Sequence, residues 1–383
     1  MGDSMKIVVV GDPDSIWTKT YIENILLNKG NEIYILGQSK GTYDTYYKEY
    51  DIRIIDNMYK NPQKRLSILY YSYIWTIRQI LKLGKIDIFH VHFVTLYSLR
   101  IMALIKWKCK RAVVSYWGSD LLRTDAAMNK KMKRYLVYAD FITVCTENMK
   151  QVFQKIYDNR FMERLAVIDF GINTYKVIDD FYHRTNIIRK YNFSEKTEVV
   201  IMIGYNGKEE QQHIKVLEQI NLLPVDLQKR IKIVIPLTYG LKKQSYAEKL
   251  KRTIEERGHY QYSLLTKYLS PEEMTELYAS TDIMIHAQTT DALSGTIQEL
   301  LYSGVLVLNP EWLIYREMEE RDIFYIAYSD FEEMREKLKR ILENGCPSGI
   351  EEKLKRNKKK LKNYSGWEAL APKWTEIISK VQK

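Results

Sequence analysis

The feature that most constrains the fold of this chain is a repeated alternation between short apolar runs rich in β-branched residues and longer amphipathic stretches. The alternation extends through nearly all of the 383 residues. Short apolar runs joined by amphipathic helices are typical of βα units, in which helices cover both faces of a parallel sheet. A chain of this length also exceeds what one hydrophobic core usually supports. The sequence therefore predicts an α/β protein of two domains.

One polar region, Tyr175 to Lys196, interrupts the alternation and separates the two predicted domains. Before it, the predicted strands are Lys6–Val10, Glu32–Leu36, Ile52–Ile55, Ile86–Val91, Arg111–Ser115, Phe141–Cys145 and Leu165–Ile168. After it, they are Glu198–Ile203, Ile231–Pro236, Tyr262–Leu265, Ile283–His286, Val305–Asn309 and Phe324–Ala327. We therefore expect a Rossmann-like domain over residues 1–175, a second over 176–365 and a C-terminal helix over 366–383.

Composition excludes several classes of protein. Hydrophobic residues make up 45% of the chain and charged residues 28%, which is typical of a folded globular protein. No apolar run approaches the roughly 18 residues of a membrane span, and no signal-peptide pattern precedes the first strand, so we expect a cytoplasmic protein. The cysteines Cys109, Cys145 and Cys346 lie far apart, which argues against a disulfide framework or a zinc site.

Basic residues are concentrated in the first half of the chain. Residues 1–175 contain 26 Lys and Arg against 17 Asp and Glu, whereas the remainder contains 33 against 31. Such a bias attracts nucleic acid, anionic lipid or phosphorylated substrates. No nucleic-acid motif is present, so we expect no nucleic-acid partner. Basic clusters at 106–111 and 130–134 lie near aromatic stretches, a pattern that fits both peripheral membrane contact and ordinary helix packing.

The segment between the fourth and fifth predicted strands of the second domain combines a polar loop with a helix. The helix is expected to begin near Ser294, Gly295 and Thr296, where unpaired amides and the helix dipole favour phosphate. Glu299 lies about one turn inside it, within reach of a ribose hydroxyl. Asp291 precedes it, where a sugar beyond the phosphates would extend. Helix capping explains the two carboxylates equally well, so their spacing leaves both interpretations open.

This segment resembles the signature of glycosyltransferases with the GT-B fold, especially those similar to family 4. In that signature an acidic residue is followed, after seven residues with a central glycine, by a ribose-binding glutamate. Asp291 corresponds to the acidic residue, which is more often glutamate, Gly295 to the glycine and Glu299 to the ribose-binding glutamate. The resemblance implies two Rossmann-like domains facing each other across a cleft, with the C-terminal helix crossing back to the N-terminal domain.

Other motifs extend the resemblance along nearly the whole chain, with two departures. Asp87 to His92 resembles the Asp-x-x-His-x-His strand end of the family. Ser115 to Asp120 resembles its His-Gly-x-Asp loop, although Trp117 replaces the usual histidine. In the second domain, the arginine that normally holds the diphosphate is missing from the stretch Gly204 to Lys208.

We expect the remaining groups of that stretch to meet the phosphates. Lys208 would supply the positive charge, and the backbone of Gly207 would approach the phosphates closely. The Asn-Gly-rich loop and the loop ending at Asp120 also resemble bacterial 4-acetamido-fucosyltransferases, which are inverting, whereas family 4 is retaining. The stereochemistry is therefore open. In an inverting reaction, Asp120 or His92 is the candidate base, with helix capping and core packing as their structural alternatives.

Together, the residues and the resemblance predict a glycosyltransferase of cell-envelope or exopolysaccharide synthesis. It would transfer a sugar from a nucleoside diphosphate donor, with a UDP-sugar expected, to a carbohydrate or lipid-linked acceptor. We expect no cofactor and no metal, because GT-B enzymes generally neutralise the leaving diphosphate with basic side chains and helix dipoles. A nucleotide-sugar epimerase, a phosphorylase and a catalytically silent GT-B subunit are the alternatives, the last supported by the missing arginine and by Trp117.

Overall fold

The structure is a computed structural model that describes residues 4–27, 30–56, 65–346 and 348–379. The chain divides into two compact units. The first consists of Met1–Gly171 with Trp367–Lys383, and the second is Ile172–Gly366.

The first unit is built on a seven-stranded sheet. Its strands are β1 (Lys6–Val10), β2 (Glu32–Leu36), β3 (Arg53–Ile55), β4 (Ile86–His92), β5 (Cys109–Tyr116), β6 (Phe141–Val144) and β7 (Leu165–Val167). Its first helices are α1 (Ile16–Tyr21), which continues as a π-helical turn over Ile22–Leu26, α2 (Asp44–Glu49), α3 (Arg65–Lys82), α4 (Leu96–Ile105), α5 (Ser119–Leu122), α6 (Ala126–Leu136) and α7 (Glu147–Tyr157). All neighbouring strands are parallel, in the order β3-β2-β1-β4-β5-β6-β7.

The second unit repeats this plan with six parallel strands in the order β10-β9-β8-β11-β12-β13. The strands are β8 (Val199–Ile203), β9 (Ile231–Pro236), β10 (Gln261–Leu265), β11 (Ile283–Ile285), β12 (Leu306–Pro310) and β13 (Ile326–Tyr328). The helices are α8 (Thr174–Thr185), α9 (His213–Ile220), α10 (Val225–Gln228), α11 (Gln244–Arg257), α12 (Pro271–Ser280), α13 (Gly295–Tyr302), α14 (Arg316–Glu319), α15 (Phe331–Asn344) and α16 (Ile350–Ser365).

The predicted α/β class and the two Rossmann-like sheets are confirmed. The predicted strands match the observed ones to within about two residues, because most of them are apolar runs; the central strands, such as β1, β8 and β11, are almost fully buried, whereas β3, β7 and β10 are only partly buried. The polar region Tyr175 to Lys196 contains no strand, as predicted, and its first half, residues 175–185, lies in α8.

The last helix, α17 (Trp367–Ser379), belongs to the first unit, as the resemblance implied. Its Trp374 is fully buried, and the indole N–H donates to the carbonyl oxygen of Asp169 at 2.9 Å. Trp367 lies so close to Gly171 that a Cβ there would be 2.4 Å from the indole ring. Glycine at 171 therefore allows the close approach of this helix.

Each sheet has one point where the strand order reverses, between β1 and β4 and between β8 and β11. In open α/β sheets, ligands bind beyond the carboxyl ends of the strands at such points. We call residues 11–18, 92–95 and 117–120 the first edge. We call residues 204–213, 237–241 and 286–296 the second edge.

Candidate functional site

Asp291 is held in the second edge by hydrogen bonds to both of its carboxylate oxygens. Its Oδ2 accepts from the Tyr315 hydroxyl at 2.6 Å and from the backbone N–H of Ser294 at 3.0 Å. Its Oδ1 lies 3.4 Å from the Tyr205 hydroxyl. Leu293, between Asp291 and the helix, has a φ of 64°, a left-handed conformation that is costly for a branched residue. Asp291 therefore fixes the strained loop that leads into α13, and its longer bond leaves Oδ1 the more available oxygen.

Glu299 faces two hydroxyl groups from distant parts of the second unit. Its Oε1 accepts from the Thr174 hydroxyl at 2.6 Å, and its Oε2 accepts from the Tyr278 hydroxyl at 2.7 Å. Burial raises the pKa of Glu299, while these two hydrogen bonds lower it. The carboxylate is thus pre-oriented by hydroxyl donors, and a ribose hydroxyl can take the same kind of position.

The start of α13 offers backbone amides to a ligand. The helix begins at Gly295, and Ser294 is its N-cap residue; within the described chain, no side-chain cap hydrogen bond occurs there. The first-turn amides, including that of Thr296, therefore have no capping side chain as acceptor. This is the arrangement that favours an anionic group such as phosphate.

The loop after β8 is shaped by two glycines. Gly204 has a φ of 61°, and a Cβ there would lie 2.5 Å from His213 Nε2. Gly207 donates its N–H to the carbonyl oxygen of Tyr239 at 2.8 Å, and a Cβ there would lie 2.8 Å from the Cβ of Leu241. Both glycines therefore permit close packing within the protein itself, which adds a structural reason for them beside the predicted phosphate contact.

Lys208 follows this loop, and its amide N–H donates to Asn206 Oδ1 at 3.0 Å. Its ammonium makes none of the ion pairs found in the described parts of the chain. Its aliphatic carbons lie against Gly240, where a Cβ would be 2.8 Å from Lys208 Cγ. The lysine therefore brings an unneutralised positive charge to the second edge.

Two segments of the second edge are bound to each other. The amide of Gln211 donates to Gln288 Oε1, and that of Gln212 donates to the carbonyl oxygen of Ala287 at 2.7 Å. The backbone N–H of Thr289 donates to the carbonyl oxygen of Glu210 at 2.9 Å. The loops after β8 and β11 therefore form one connected surface at the reversal point of the sheet.

His286 occupies the end of β11 as a buried, neutral imidazole. Burial lowers its pKa. Its Nδ1 lies 2.9 Å from Asn309 Oδ1, whose amide nitrogen faces two carbonyl oxygens. Nδ1 therefore carries the proton, and Nε2 is a buried acceptor with no partner among the described residues.

In the first edge, Asp120 connects two loops through backbone amides. Its Oδ2 accepts from Val94 N–H at 2.7 Å, and its Oδ1 accepts from the N–H groups of Trp117 and Gly118, each at 2.9 Å. Burial raises the pKa of Asp120 to about 6, against the lowering effect of these hydrogen bonds. Three amides occupy the carboxylate, so Asp120 holds the loop after β4 and the loop after β5 together.

His92 is buried in the first edge next to His90. Burial raises the pKa of the Tyr21 hydroxyl, which lies 3.0 Å from His90 Nδ1, and His90 Nε2 lies 2.7 Å from Ser115 Oγ. His92 Nε2 approaches the same His90 Nδ1 at 3.3 Å. Burial, with the charge of His90, lowers the pKa of His92. His92 Nδ1 is buried and has no hydrogen-bond partner among the described residues.

The predicted site residues therefore fall into two groups. Those predicted to bind the donor all belong to the second unit, at its edge or one turn into α13: Gly207, Lys208, Asp291, Ser294, Gly295, Thr296 and Glu299. The two candidate bases, His92 and Asp120, belong to the first edge. Whether any of these residues contacts a substrate stays a prediction.

The sequence interpretation did not identify the hydroxyl donors of the second site, which are Thr174, Tyr205, Tyr278 and Tyr315. Tyr205 comes two residues after β8, so the rule that ligand sites follow strand ends could have identified it. The other three carry no such local signal. Among the described residues, no cluster of three or more His, Cys, Asp and Glu side chains is arranged to hold a metal ion. None of the described helices combines the length and apolarity needed to cross a membrane.

Two family models match consecutive parts of the chain. Residues 24–176 match the model described as Glycosyltransferase Family 4, and residues 183–361 match the model described as Glycosyl transferases group 1. No curated protein sequence matches significantly.

Solved structures with the same fold cover the whole chain. A glycosyltransferase from Rickettsia africae aligns with a TM-score of 0.73 at 15% identity, covering 100% of both chains. HepE from Anabaena, solved in complex with UDP and glucose, aligns with a TM-score of 0.73 at 14% identity, covering 98% of this chain and 100% of its own. A UDP-forming trehalose-phosphate synthase from Burkholderia vietnamiensis aligns with a TM-score of 0.70 at 14% identity, covering 99% and 98%. At such identities the similarity is one of fold.

Proposed function

We propose a reaction for this chain on the premise that it belongs to the GT-B glycosyltransferases, with a Glycosyltransferase Family 4 domain followed by a group 1 domain. The proposed reaction transfers a sugar from a UDP-sugar to a carbohydrate or lipid-linked acceptor in cell-envelope or exopolysaccharide synthesis. HepE from Anabaena, a neighbour in fold, was solved with UDP-glucose, which supports UDP as the nucleotide. No metal or cofactor enters the proposal, since Lys208 and the α13 amides supply positive charge for the diphosphate.

The observation that carries the proposal is the set of groups at the second edge. Two pre-oriented carboxylates, Asp291 and Glu299, flank the uncapped start of α13, and Lys208 brings a cation without a carboxylate partner in the described chain. A nucleoside diphosphate sugar presents hydroxyls on both its ribose and its sugar, separated by two phosphates. Glu299 would bind the ribose, the α13 amides and Lys208 the diphosphate, and Asp291 the sugar hydroxyls.

For an inverting reaction, we propose His92 as the base in preference to Asp120. Three backbone amides occupy the Asp120 carboxylate, whereas His92 Nδ1 has no hydrogen-bond partner in the described chain. In the proposed step, the acceptor oxygen forms the bond to the anomeric carbon as its proton passes to Nδ1. The bond from that carbon to the diphosphate breaks, and the diphosphate leaves with the electron pair. Determination of the product anomer distinguishes this route from retention.

The proposed function is tested with radiolabelled UDP-sugars and an extract of lipid-linked and free acceptors. Transfer of label to an acceptor by the wild type, and its loss in Asp291→Ala, is the expected result. Glu248→Ala serves as the control, because Glu248 is an exposed residue on α11 and does not belong to the second edge. Epimerised free nucleotide-sugar formed without acceptor would contradict transfer. Nucleotide-sugar binding without any turnover would instead indicate a catalytically silent subunit.

We also propose that the first unit contacts anionic lipid at the inner face of the cell membrane. Its exposed apolar side chains at the ends of α4 and α6 form what we call the α4–α6 patch, composed of Leu104, Trp107, Val137 and Tyr138. The two helix ends are joined by the ion pair of Lys106 with Asp140 at 2.6 Å. The Lys108 ammonium lies 5.3 Å from the centre of the Trp107 ring. Basic side chains beside exposed aromatic ones suit a negatively charged leaflet.

Some lysines of the two basic clusters form ion pairs within the protein, so fewer of them are available to bind anionic lipid. Lys110 pairs with Asp87 and Lys133 with Asp158, each at 2.6 Å. Cosedimentation with phosphatidylglycerol vesicles is expected for the wild type and reduced for Trp107→Ser. Leu222→Ser, an exposed position of the second unit, is the matched control. Equal cosedimentation of all three proteins would contradict the proposed surface.

A further inference from the structure

Two tyrosines near the second edge are exposed although large aromatic side chains are usually well buried. Tyr268 is 75% exposed and Tyr239 is 48% exposed. Tyr239 comes three residues after β9 and Tyr268 three residues after β10, so each lies in the loop at the carboxyl end of its strand. Neither ring is needed to fill the core of the unit.

The loops after β9 and β10 begin at the same level of the sheet. Strands β9 and β10 are parallel neighbours, with Pro236 opposite Leu265. The backbone N–H of Leu237 extends this pairing by donating to the carbonyl oxygen of Leu265 at 2.7 Å. Tyr239 and Tyr268 each follow the Pro236–Leu265 pair by three residues. The register therefore carries both tyrosines beyond the sheet at the same level, on adjacent strands.

Tyr239 is also fixed beside the groups proposed to bind the donor. Its carbonyl oxygen accepts the Gly207 N–H at 2.8 Å, and the following residue, Gly240, lies against the carbons of Lys208. Burial, with smaller contributions from the charges of Glu299 and Asp291, raises the pKa of the Tyr239 hydroxyl to about 12. A hydrogen bond with the Asn206 side chain lowers this pKa, and about half of the Tyr239 side chain remains accessible.

We propose that Tyr239 and Tyr268 form a stacking platform for the base of a nucleoside diphosphate. This inference rests on the proposed function: if Glu299 binds the ribose and Lys208 the diphosphate, the base attached to that ribose lies beside these rings. Every nucleobase has an aromatic face, so stacking on a tyrosine supplies affinity with little selectivity among bases. The platform contributes equally to the ground state and the transition state, because the base is remote from the reacting carbon.

The test measures the binding of UDP, ADP, GDP and inorganic pyrophosphate to the full chain by isothermal titration calorimetry. Tyr239→Ala and Tyr268→Ala are each expected to weaken the binding of a nucleoside diphosphate by roughly tenfold or more, leaving pyrophosphate binding unchanged. Phenylalanine at either position retains the ring and is expected to retain most of the affinity. Tyr50→Ala is the matched control, since Tyr50 is also 48% exposed but belongs to the first unit.

Enzyme kinetics gives a second readout that a loss of folding would not produce. Each alanine variant is expected to raise KM for the nucleotide-sugar with kcat nearly unchanged. Unchanged nucleotide affinity in both variants, or an equal loss of pyrophosphate affinity, would overturn the platform. Failure of the wild type to bind any of the three nucleotides would instead contradict the proposed function, so the two ideas fail in different ways.

Discussion

The two sheets share one strand order, yet the edges at which their strand orders reverse are built from different side chains. At the first edge, His92 is enclosed by the rings of Tyr21, Trp117 and Phe170, with centroid distances of 4.7–5.5 Å. At the second edge and one turn into α13, the carboxylates of Asp291 and Glu299 accept hydrogen bonds from hydroxyl groups, and Lys208 belongs to the same edge. Topology therefore determines where a ligand site can form, and the side chains determine which chemistry it offers.

Both units contain buried histidines with lowered pKa, and these give the largest predicted effect, a dependence of the free energy of unfolding on pH. Each has two buried histidines with lowered pKa, His90 and His92 in the first and His213 and His286 in the second. The pKa of His90 falls to about 3 and that of His213 to about 4. Below the ordinary histidine pKa, the unfolded chain binds protons that the folded protein does not, so stability falls as the pH falls.

Each such histidine contributes a slope of about 1.4 kcal/mol per pH unit between its unfolded and folded pKa values. Asp120 opposes this, because its raised pKa of about 6 costs stability as pH rises from its ordinary value toward 6. His90 and His213, whose folded pKa values lie below 5, outweigh Asp120 over this range, so we expect the free energy of unfolding, measured by urea titration, to fall by about 2 kcal/mol or more from pH 7 to pH 5. His213→Gln should flatten this slope, and equal stability at both pH values would refute the shared pattern.

A comparison of two glycines separates the cost of a steric clash in the loop after β8 from the cost of backbone strain. Gly204 and Gly30 have φ values of 61° and 64°, but a Cβ at Gly30 has no neighbour within 4 Å. Gly204→Ala combines left-handed strain with a clash against His213, so we expect a loss of about 3 kcal/mol, whereas Gly30→Ala should lose about 1 kcal/mol from strain alone. Thermal and urea unfolding of both variants measures the difference. Equal losses of stability would show that His213 can move aside to accommodate a Cβ at position 204.

Removal of the Glu299 carboxylate tests the donor chemistry of the second edge. Glu299→Ala deletes the acceptor of the Thr174 and Tyr278 hydroxyls and the proposed ribose contact. A charged hydrogen bond of this kind is worth about 10- to 100-fold in affinity, so UDP binding by calorimetry should weaken by that factor. His92→Gln, at the first edge, should leave UDP affinity nearly unchanged. If His92→Gln weakened UDP binding more than Glu299→Ala did, the nucleotide site would have to be assigned to the first unit.

The smallest effect is expected for Lys208, whose charge is partly exposed to solvent. Lys208→Ala should weaken UDP binding by about threefold to tenfold and reduce the dependence of that binding on salt. Lys242→Ala, which removes an exposed lysine from the loop after Tyr239, is the control and should alter affinity less. If both variants behave alike, the phosphates depend on general positive charge and not on the position of Lys208.

The sequence predicted the sheets well because most strands contain an apolar run, as in Ile231–Pro236, which matches β9 residue for residue. It also predicted the start of α13, since Gly295 follows a polar loop after a buried strand. The sequence did not predict which distant residues would be in contact. Thr174 lies 125 residues before Glu299, and nothing in its own neighbourhood indicates that they meet. The Val94 amide that binds Asp120 likewise depends on the pairing of β4 with β5, which the sequence shows only as two separate motifs.

The most direct test of the difference between the two edges is hydrogen exchange of the full chain with and without saturating UDP. Peptides that cover residues 204–213 and 286–299 are expected to gain the strongest protection, because the nucleotide would bind their amides and order their loops. Peptides that cover 92–95 and 117–120 are expected to change less. Protection that is strongest at the first edge, or absent from both, would contradict the assignment of the donor to the second unit.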